Sequence, residues 1–438
     1  MNFLKWNAWR DNALASDEYA AAGPETGVSD RPGRFVARVR ALATMASAEF
    51  RKKILILLAA LVVSQGITGA LSGQSKAVRA GVSGPLSLIA GLSAVALATM
   101  LLGRYVRVGI RAFRIIAGIS AALLTFIIYT GSAVRLTGSG LGCPDWPTCE
   151  KGNVVPESGV HAQIEFGNRV VTGLCVLVAG IGVLTALVRN PYRRDLVQFG
   201  LLVSLAIFGN AIVGGFTVLS GLRPEFVMAH FILALLALGT ALVLFHRAGE
   251  PGQSRSLIGK DRTASVDRTT TQLSRLLTFA SGVVLFMGMI VTGSGPHGGS
   301  DNEENPVARF PFSTFDTSRI HSIAVWLTLA VVVALALRAA KNSARSAVVS
   351  ADSNVVNPQA EHAAHLTDRQ TTPRASELRR RLTVLIAVVL AQGAIGYIQY
   401  FNGVPALLVQ FHIVGATAFF ISVFWVRAAV TNPGTISR

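Results

Sequence analysis

Long apolar stretches constrain this chain more than any other feature. Ten runs of about 18 to 23 predominantly apolar residues are each long enough to cross a hydrocarbon layer roughly 30 Å thick. They predict transmembrane helices at 54–71, 85–102, 113–134, 169–188, 197–217, 226–245, 275–293, 320–338, 381–400 and 406–428. The predicted fold class is therefore all-α, a polytopic membrane helical bundle.

The charged residues agree with this fold and indicate its orientation. Only 14% of the 438 residues are charged, whereas a soluble domain carries about a quarter. The net charge of +17 comes from Lys and Arg beside apolar runs, which the positive-inside rule explains without a nucleic-acid partner. The basic connections alternate along the chain, at 103–112, 189–195, 246–274 and 339–380. They predict a multi-pass plasma-membrane protein with both termini in the cytoplasm, the two long basic loops being flexible linkers.

An internal repeat relates two blocks of four spans. The segment TGSAVRLTGSG is echoed by VTGSGPHGG, and each follows an apolar run. Aligning the blocks superposes Asn168 on His321 and His230 on His412. Repeated membrane units commonly place a site in each unit or between the units.

The repeat divides the chain into predicted parts: a polar cytoplasmic N-terminus at 1–50, two additional transmembrane helices at 51–107, an N-terminal four-helix half at 108–247, a cytoplasmic linker at 248–272, and a C-terminal four-helix half at 273–430 containing the loop 339–380.

Three histidines open apolar spans near the outward face. An ionisable side chain at that depth is unfavourable unless it is paired or functional, although each of these imidazoles could instead bond a backbone carbonyl. In the second block, His321 and His412 suit an axial pair for one haem. The first block offers His230 and Asn168, and an amide is a poor iron ligand. That asymmetry predicts a pocket able to do chemistry on its tetrapyrrole.

A carboxylate accompanies the first of these positions. Glu165 precedes Asn168 by about one helical turn, so both side chains project from one face. It could act as a general base or stabilise positive charge on a reacting carbon, or it could satisfy free N–H groups at a helix start. The cations Arg135, Arg169 and Arg319 could pair haem propionates or anchor the helices at the interface.

Two cysteines share the loop before this helix. The spacing of Cys143 and Cys149 suits a disulfide and also a weak metal clamp. Because no histidine or third cysteine stands close enough in the sequence to complete a zinc site, the disulfide is favoured. Cys175, inside a span, is predicted to be a buried packing residue.

At these residues the sequence resembles the haem A synthase family of respiratory membranes. The resemblance covers roughly residues 112–430. The motifs that carry it are VRLTGSGLGCPDWPTC (134–149), IEFGNR (164–169), GGFTVLSGL (214–222), VTGSGPH (291–297) and GYIQYFNGVPALLVQFH (396–412). It implies an eight-helix, pseudo-twofold bundle that oxidises the C8 methyl of haem O to a formyl group, giving haem A for cytochrome oxidase.

The resemblance also implies roles for residues of this chain. His321 and His412 would ligate a haem b in the C-terminal half, and Glu165 would be the catalytic carboxylate. Cys143 and Cys149 would form an outward-facing disulfide.

The N-terminal half would then hold haem O. His230 would position the substrate iron, with Asn168 and Arg169 in the pocket. Family members commonly carry histidine where Asn168 stands, so bis-histidine ligation is not expected in this half.

Two other functions and several partners accompany this prediction. A two-site b-type membrane cytochrome could move electrons between quinone and an outer acceptor, and a transporter would also suit the repeat. The extra N-terminal residues 1–107 could dock haem O synthase or an oxidase assembly factor. The chain could also form a homo-oligomer.

Overall fold

The computed structural model describes residues 107–249, 267–300, 306–353 and 358–431. The two predicted spans at 54–71 and 85–102 lie outside these residues. The described residues form eight helices, here numbered α1 (Ile110–Leu136), α2 (Val160–Leu187), α3 (Arg194–Leu219), α4 (Pro224–Ala248), α5 (Arg268–Ser294), α6 (Thr314–Ser353), α7 (Pro358–Phe401) and α8 (Ala406–Thr431).

All eight helices contain a segment long and apolar enough to cross a membrane. In α6 and α7 this segment is confined to Thr314–Asn342 and Ser376–Phe401. Large apolar side chains on the helix surfaces are exposed, among them Phe279 at 72% and Leu337 at 67%. Such surfaces suit lipid rather than water. The chain is a multi-pass membrane protein, and the predicted all-α bundle is confirmed.

Several helix boundaries differ from the sequence prediction, most of all at the start of α2 and on both sides of the α6–α7 connection. Helix α2 begins at Val160, well before the predicted start at 169, because the preceding loop folds over its first polar turns and pairs them. Residues 339–353 and much of 358–380 are helical, where the composition predicted a flexible linker. Residues 339–353 contain no Gly or Pro and are rich in Ala, which favours helix.

The two halves have the same packing order. In the first, α1, α2, α3 and α4 form a ring in which each helix contacts the next and α4 returns to α1; α5 to α8 repeat this order. The halves meet where α8 packs against α1 and α4 and where α5 packs against α4. Each half has its own apolar core, and side chains of α8 pack against both.

Loops from both halves meet at the end of the bundle where α2, α4, α6 and α8 begin, called here the site end. Gly140 N–H donates to the carbonyl of Gly299 at 2.7 Å, which joins the two repeated glycine-rich loops. The His297 ring contacts the carbonyl of Val404 in the α7–α8 turn at 2.8 Å. The tertiary fold thus gathers the repeated motifs on one side.

A buried charge cluster stabilises the opposite end of the first half. Asp195, at the start of α3, pairs with Arg193 at 2.7 Å and with Arg247 at 3.4 Å. Asp195 and Arg193 are both almost fully buried. Such a pair fixes local geometry, because removing one partner leaves an uncompensated charge in the interior.

Candidate functional site

A cavity of about 410 Å³ lies at the site end of the first half. It is lined by residues of α1 to α4 and by residues from the second half, including Met289 and Ile413. Six residues singled out from the sequence line it together: Arg135, Glu165, Asn168, Arg169, Cys175 and His230. The cavity lining is mainly apolar side chains with a few polar groups, as in small-molecule sites.

His230 is held in a tautomer suited to binding a metal. Its Nδ1 lies 3.0 Å from the carbonyl oxygen of Asn210. Because a carbonyl can only accept, Nδ1 must carry the proton, and Nε2 keeps its lone pair. Histidines that bind a metal through one ring nitrogen are commonly oriented by a hydrogen bond from the other ring nitrogen, as here.

Asn168 occupies the corresponding position on α2. The hydroxyl of Thr130 donates to Asn168 Oδ1 at 2.7 Å and so orients the amide. An amide binds iron poorly, and among the described residues that line this cavity His230 is the only imidazole. A macrocycle held here would therefore have one strong axial ligand from the described residues.

Each site position packs against a glycine of the preceding helix, a feature that the sequence analysis missed. A Cβ added at these glycines would approach the nearest atom of the site side chain as follows: Gly131 to Asn168 at 3.9 Å, Gly214 to His230 at 2.8 Å, Gly288 to His321 at 3.2 Å, and Gly396 to His412 at 3.2 Å. The only available signal was that two of the pairs, 214/230 and 396/412, have the same separation in the sequence.

Glu165 joins α2 to the loop at 137–159, called here the cysteine loop because it contains Cys143 and Cys149. Its side chain is buried, with Oε2 accepting from Cys143 N–H at 2.7 Å and Oε1 accepting from Arg169 Nη2 at 2.6 Å. The Arg169 guanidinium also donates to the carbonyl of Thr148 at 2.7 Å and to that of Cys143 at 3.1 Å. The pair thus fastens the loop over the first turns of α2, and it also lines the cavity.

The cysteine loop forms one wall of the cavity. Cys143 and Cys149 are joined in a disulfide, as the spacing favoured, and both are fully buried. Trp146, which the sequence analysis did not single out, lies against the backbone of Gly215, where a Cβ would come within 2.6 Å of the indole. The buried Cys175 packs in the core of the first half and confirms its predicted role.

The second half brings His321 and His412 together. Their ring centroids are 6.5 Å apart, with 76° between the ring planes. Two imidazoles that share one metal ion, at about 2 Å for each bond, place their ring centroids roughly 6 Å apart. The pair therefore fits an iron macrocycle held from both faces. The described residues contain no cluster of three or more His, Cys, Asp or Glu that would suit another metal.

The candidate propionate partners separate in the structure. Arg135 and Arg169 line the cavity, whereas Arg319 lies outside its lining and stacks over the Phe315 ring at 5.4 Å. A further cation, Arg309, reaches the cavity from the loop between α5 and α6. Nothing local in the sequence distinguishes Arg309 from other loop arginines.

Comparison with known proteins gives matches to one family. A family model described as cytochrome oxidase assembly protein (COX15-CtaA) matches residues 114–163 and 156–296, which include most of the cavity lining. The chain is 30% identical to a heme A synthase of Geobacillus thermodenitrificans over 122 residues, 27% of this chain and 38% of the relative. It is 33% identical to a heme A synthase of Exiguobacterium sibiricum over 133 residues, 29% of this chain and 44% of the relative. The chain thus spans less than half the length of these relatives.

Proposed function

Because a family model described as cytochrome oxidase assembly protein matches residues 114–163 and 156–296, we propose that the chain belongs to this family. We propose further that it is a haem A synthase, an oxidoreductase that converts the C8 methyl of haem O to a formyl group. The observation that carries this proposal is one cavity lined by the imidazole of His230 and by a buried carboxylate, Glu165. The matched relatives named heme A synthase support it.

His230 would hold the substrate iron through Nε2, since Nδ1 is engaged with the carbonyl of Asn210. Asn168 would leave the other axial position without a strong protein ligand. A macrocycle held on one face keeps its other face open to chemistry, while a ring bound by two imidazoles mainly transfers electrons. This asymmetry supports the assignment of the substrate to the first half.

Glu165 would act on the reacting carbon through its charge. Each carboxylate oxygen already accepts one hydrogen bond, from Cys143 N–H and from Arg169, and each retains a further lone pair. These contacts fix the carboxylate beside the cavity before substrate binds. A fixed negative charge stabilises positive charge that develops on a carbon during oxidation.

His321 and His412 would hold a haem b in the second half. That group supplies one-electron transfer when bound. The spacing of the two rings supports this role. Ile413 lines the substrate cavity and is the next residue after His412, so α8 adjoins both sites. Gln410 ties α8 to α1 by donating to the carbonyl of Tyr129 at 3.1 Å.

The proposed orientation places the site end and the disulfide on the outward side of the plasma membrane and both termini in the cytoplasm. The alternation of basic connections supports it. In this proposal 108–247 is the substrate half and 273–430 the electron-transfer half. Residues 1–107 would dock haem O synthase or an oxidase assembly factor.

Extraction of bound haem tests the proposal. The full chain is produced in a host that makes haem O, and its pigments are separated by chromatography. We expect haem A or a hydroxylated intermediate from the wild type. Glu165→Gln should retain the spectrum of the resident haem b but lower the haem A yield about 100-fold, as for loss of one preorganised electrostatic group.

Glu157→Gln is the matched control, because Glu157 is an exposed carboxylate of the same loop region. It should give a normal yield of haem A. Haem b alone in the wild-type protein would favour the two-site cytochrome, and absence of any chromophore would favour the transporter. A normal haem A yield from Glu165→Gln would remove Glu165 from the mechanism.

A further inference from the structure

The cavity in the first half carries an excess of positive charge. Among the described residues, three arginines line it, Arg135, Arg169 and Arg309, and one carboxylate, that of Glu165. Glu165 is paired with Arg169 at 2.6 Å. The part of the lining that the structure describes therefore contains no carboxylate for the other two guanidinium groups.

Arg135 and Arg309 converge on one backbone carbonyl. Arg135 Nη2 donates to the oxygen of Thr292 at 2.9 Å and also to the carbonyl of His297. Arg309 Nη2 donates to the same oxygen of Thr292. The two side chains come from different halves of the protein, one from the end of α1 and the other from the α5–α6 loop. Shared anchoring holds them side by side.

This arrangement is electrostatically unfavourable without a further ligand. Both guanidinium groups donate to the oxygen of Thr292, so their positive charges lie close enough to repel each other. Burial lowers the pKa of the Arg309 guanidinium. The Nε atom of Arg309 is buried and has no hydrogen-bond partner among the described residues. A buried donor without an acceptor, next to a second cation, destabilises the fold unless an anion completes the site.

Anchoring of the loop does not require Arg309. The neighbouring residue Phe310 donates its N–H to the carbonyl of Gly293 at 3.0 Å. Its ring occupies the space that a Cβ on Gly293 would fill, at 2.5 Å. The loop is therefore already fixed to the end of α5, and the guanidinium remains available to a ligand in the cavity.

We propose that Arg135 and Arg309 form a clamp for the two propionate carboxylates of the substrate macrocycle. The proposal rests on the proposed function, because it takes the ligand of this cavity to be a haem. Two guanidinium groups match two carboxylates in charge, and the planar fork of arginine binds carboxylate oxygens in pairs.

The clamp would select the methyl group that reacts. A haem of this type carries several ring methyls, and the C8 methyl shares its pyrrole ring with one propionate. Holding both propionates fixes the rotation of the ring about the axis through its iron, which His230 alone leaves free. Arg135 and Arg309 are thus positioning residues that determine which edge of the ring faces Glu165.

Titration with a redox-inert porphyrin tests the clamp. Zinc protoporphyrin and its dimethyl ester differ in the charge of the propionates, and zinc accepts one axial imidazole. Both are titrated by fluorescence into the full chain in detergent, with the resident haem of the second half bound. The variants are Arg135→Gln, Arg309→Gln and Arg309→Lys. The control is Arg223→Gln, which alters an exposed ion pair with Glu225 outside the cavity lining.

We expect the wild type to bind the diacid more tightly than the ester. Each Gln variant should lose roughly tenfold to a hundredfold in affinity for the diacid, as for one charge-assisted hydrogen bond, with little change for the ester. Arg309→Lys should recover part of the loss. Equal affinities of the wild type for diacid and ester would refute the clamp. Equal losses for both ligands would also refute it, because they would indicate a purely structural role.

Haem A yield measured on the same proteins separates the two proposals. Arginine-dependent binding of the diacid in a protein that makes no haem A would uphold the clamp and reject the synthase. Normal haem A production by variants with unchanged binding would uphold the synthase and reject the clamp.

Discussion

Replacing Gly214 with alanine should disturb His230 more than any of the other three glycine replacements disturbs its own site residue. The added Cβ would lie 2.8 Å from Cε1 of the His230 ring and 3.3 Å from its Nδ1. The ring cannot simply rotate away, because Nδ1 is bonded to the carbonyl of Asn210. Either the helices separate or the hydrogen bond that fixes the tautomer is lost.

The free-energy cost of Gly214→Ala can be worked out from these two outcomes. Overpacking a well-filled site costs about 1–3 kcal/mol, and loss of a hydrogen bond about 1 kcal/mol. The higher helix propensity of alanine relative to glycine offsets up to about 1 kcal/mol of this cost. If the net cost weakens the bond between His230 and the metal, the affinity for a metalloporphyrin should fall about 10-fold to 100-fold.

The four glycines should form a graded series. At Gly288 and Gly396 the Cβ contacts are 3.2 Å, so the imidazoles must shift by only a few tenths of an ångström, and at Gly131 the contact is an ordinary 3.9 Å. We expect altered spectra of the second-half haem for Gly288→Ala and Gly396→Ala. Gly131→Ala should have little effect.

Fluorescence titration with zinc protoporphyrin and thermal unfolding would measure the series. Gly209→Ala is the matched control for Gly214→Ala, because it lies on the same helix and its Cβ would meet nothing within 4 Å. It should bind the porphyrin normally and unfold at the same or a higher temperature. If Gly214→Ala bound zinc protoporphyrin with wild-type affinity, the His230 ring could accommodate the added methyl group. Gly214 would then not define the position of the ring.

Three further changes test other parts of the structure. Asn168→His supplies a second imidazole, so bound haem in the first half should change from a five-coordinate to a six-coordinate spectrum; an unchanged spectrum would show that position 168 does not face the iron. Cys143→Ser removes the disulfide that closes the cavity wall and should lower stability by about 2 kcal/mol, measured by thermal unfolding, whereas an unaltered melting temperature would contradict a structural role. Asp195→Asn leaves the buried Arg193 charge without its counter-ion and should destabilise the protein by about 3–5 kcal/mol, whereas Glu225→Gln at an exposed ion pair should not shift the unfolding transition.

The sequence by itself determined the helices and part of the site. Apolar runs long enough to cross a bilayer predict membrane helices because lipid offers no partner to backbone N–H and C=O groups. Eight of the predicted spans were found in the described residues. The sequence also predicted that His321 and His412 form a pair, and the structure places their ring centroids 6.5 Å apart. Their role as iron ligands stays a prediction. These inferences rest on local composition and periodicity, which can be read from the sequence without knowledge of the packing.

Only the tertiary structure decided what surrounds those residues. The glycines behind the imidazoles have a function only because a particular ring packs on them, and a single sequence does not record that neighbour. The same holds for Glu165, whose carboxylate is tied to Cys143 N–H by a loop that folds back over α2. Arg309 joins Arg135 across the two halves by sharing the carbonyl of Thr292. Contacts between residues distant in sequence arise from packing of the whole bundle, so local patterns could not have predicted the cavity that they form.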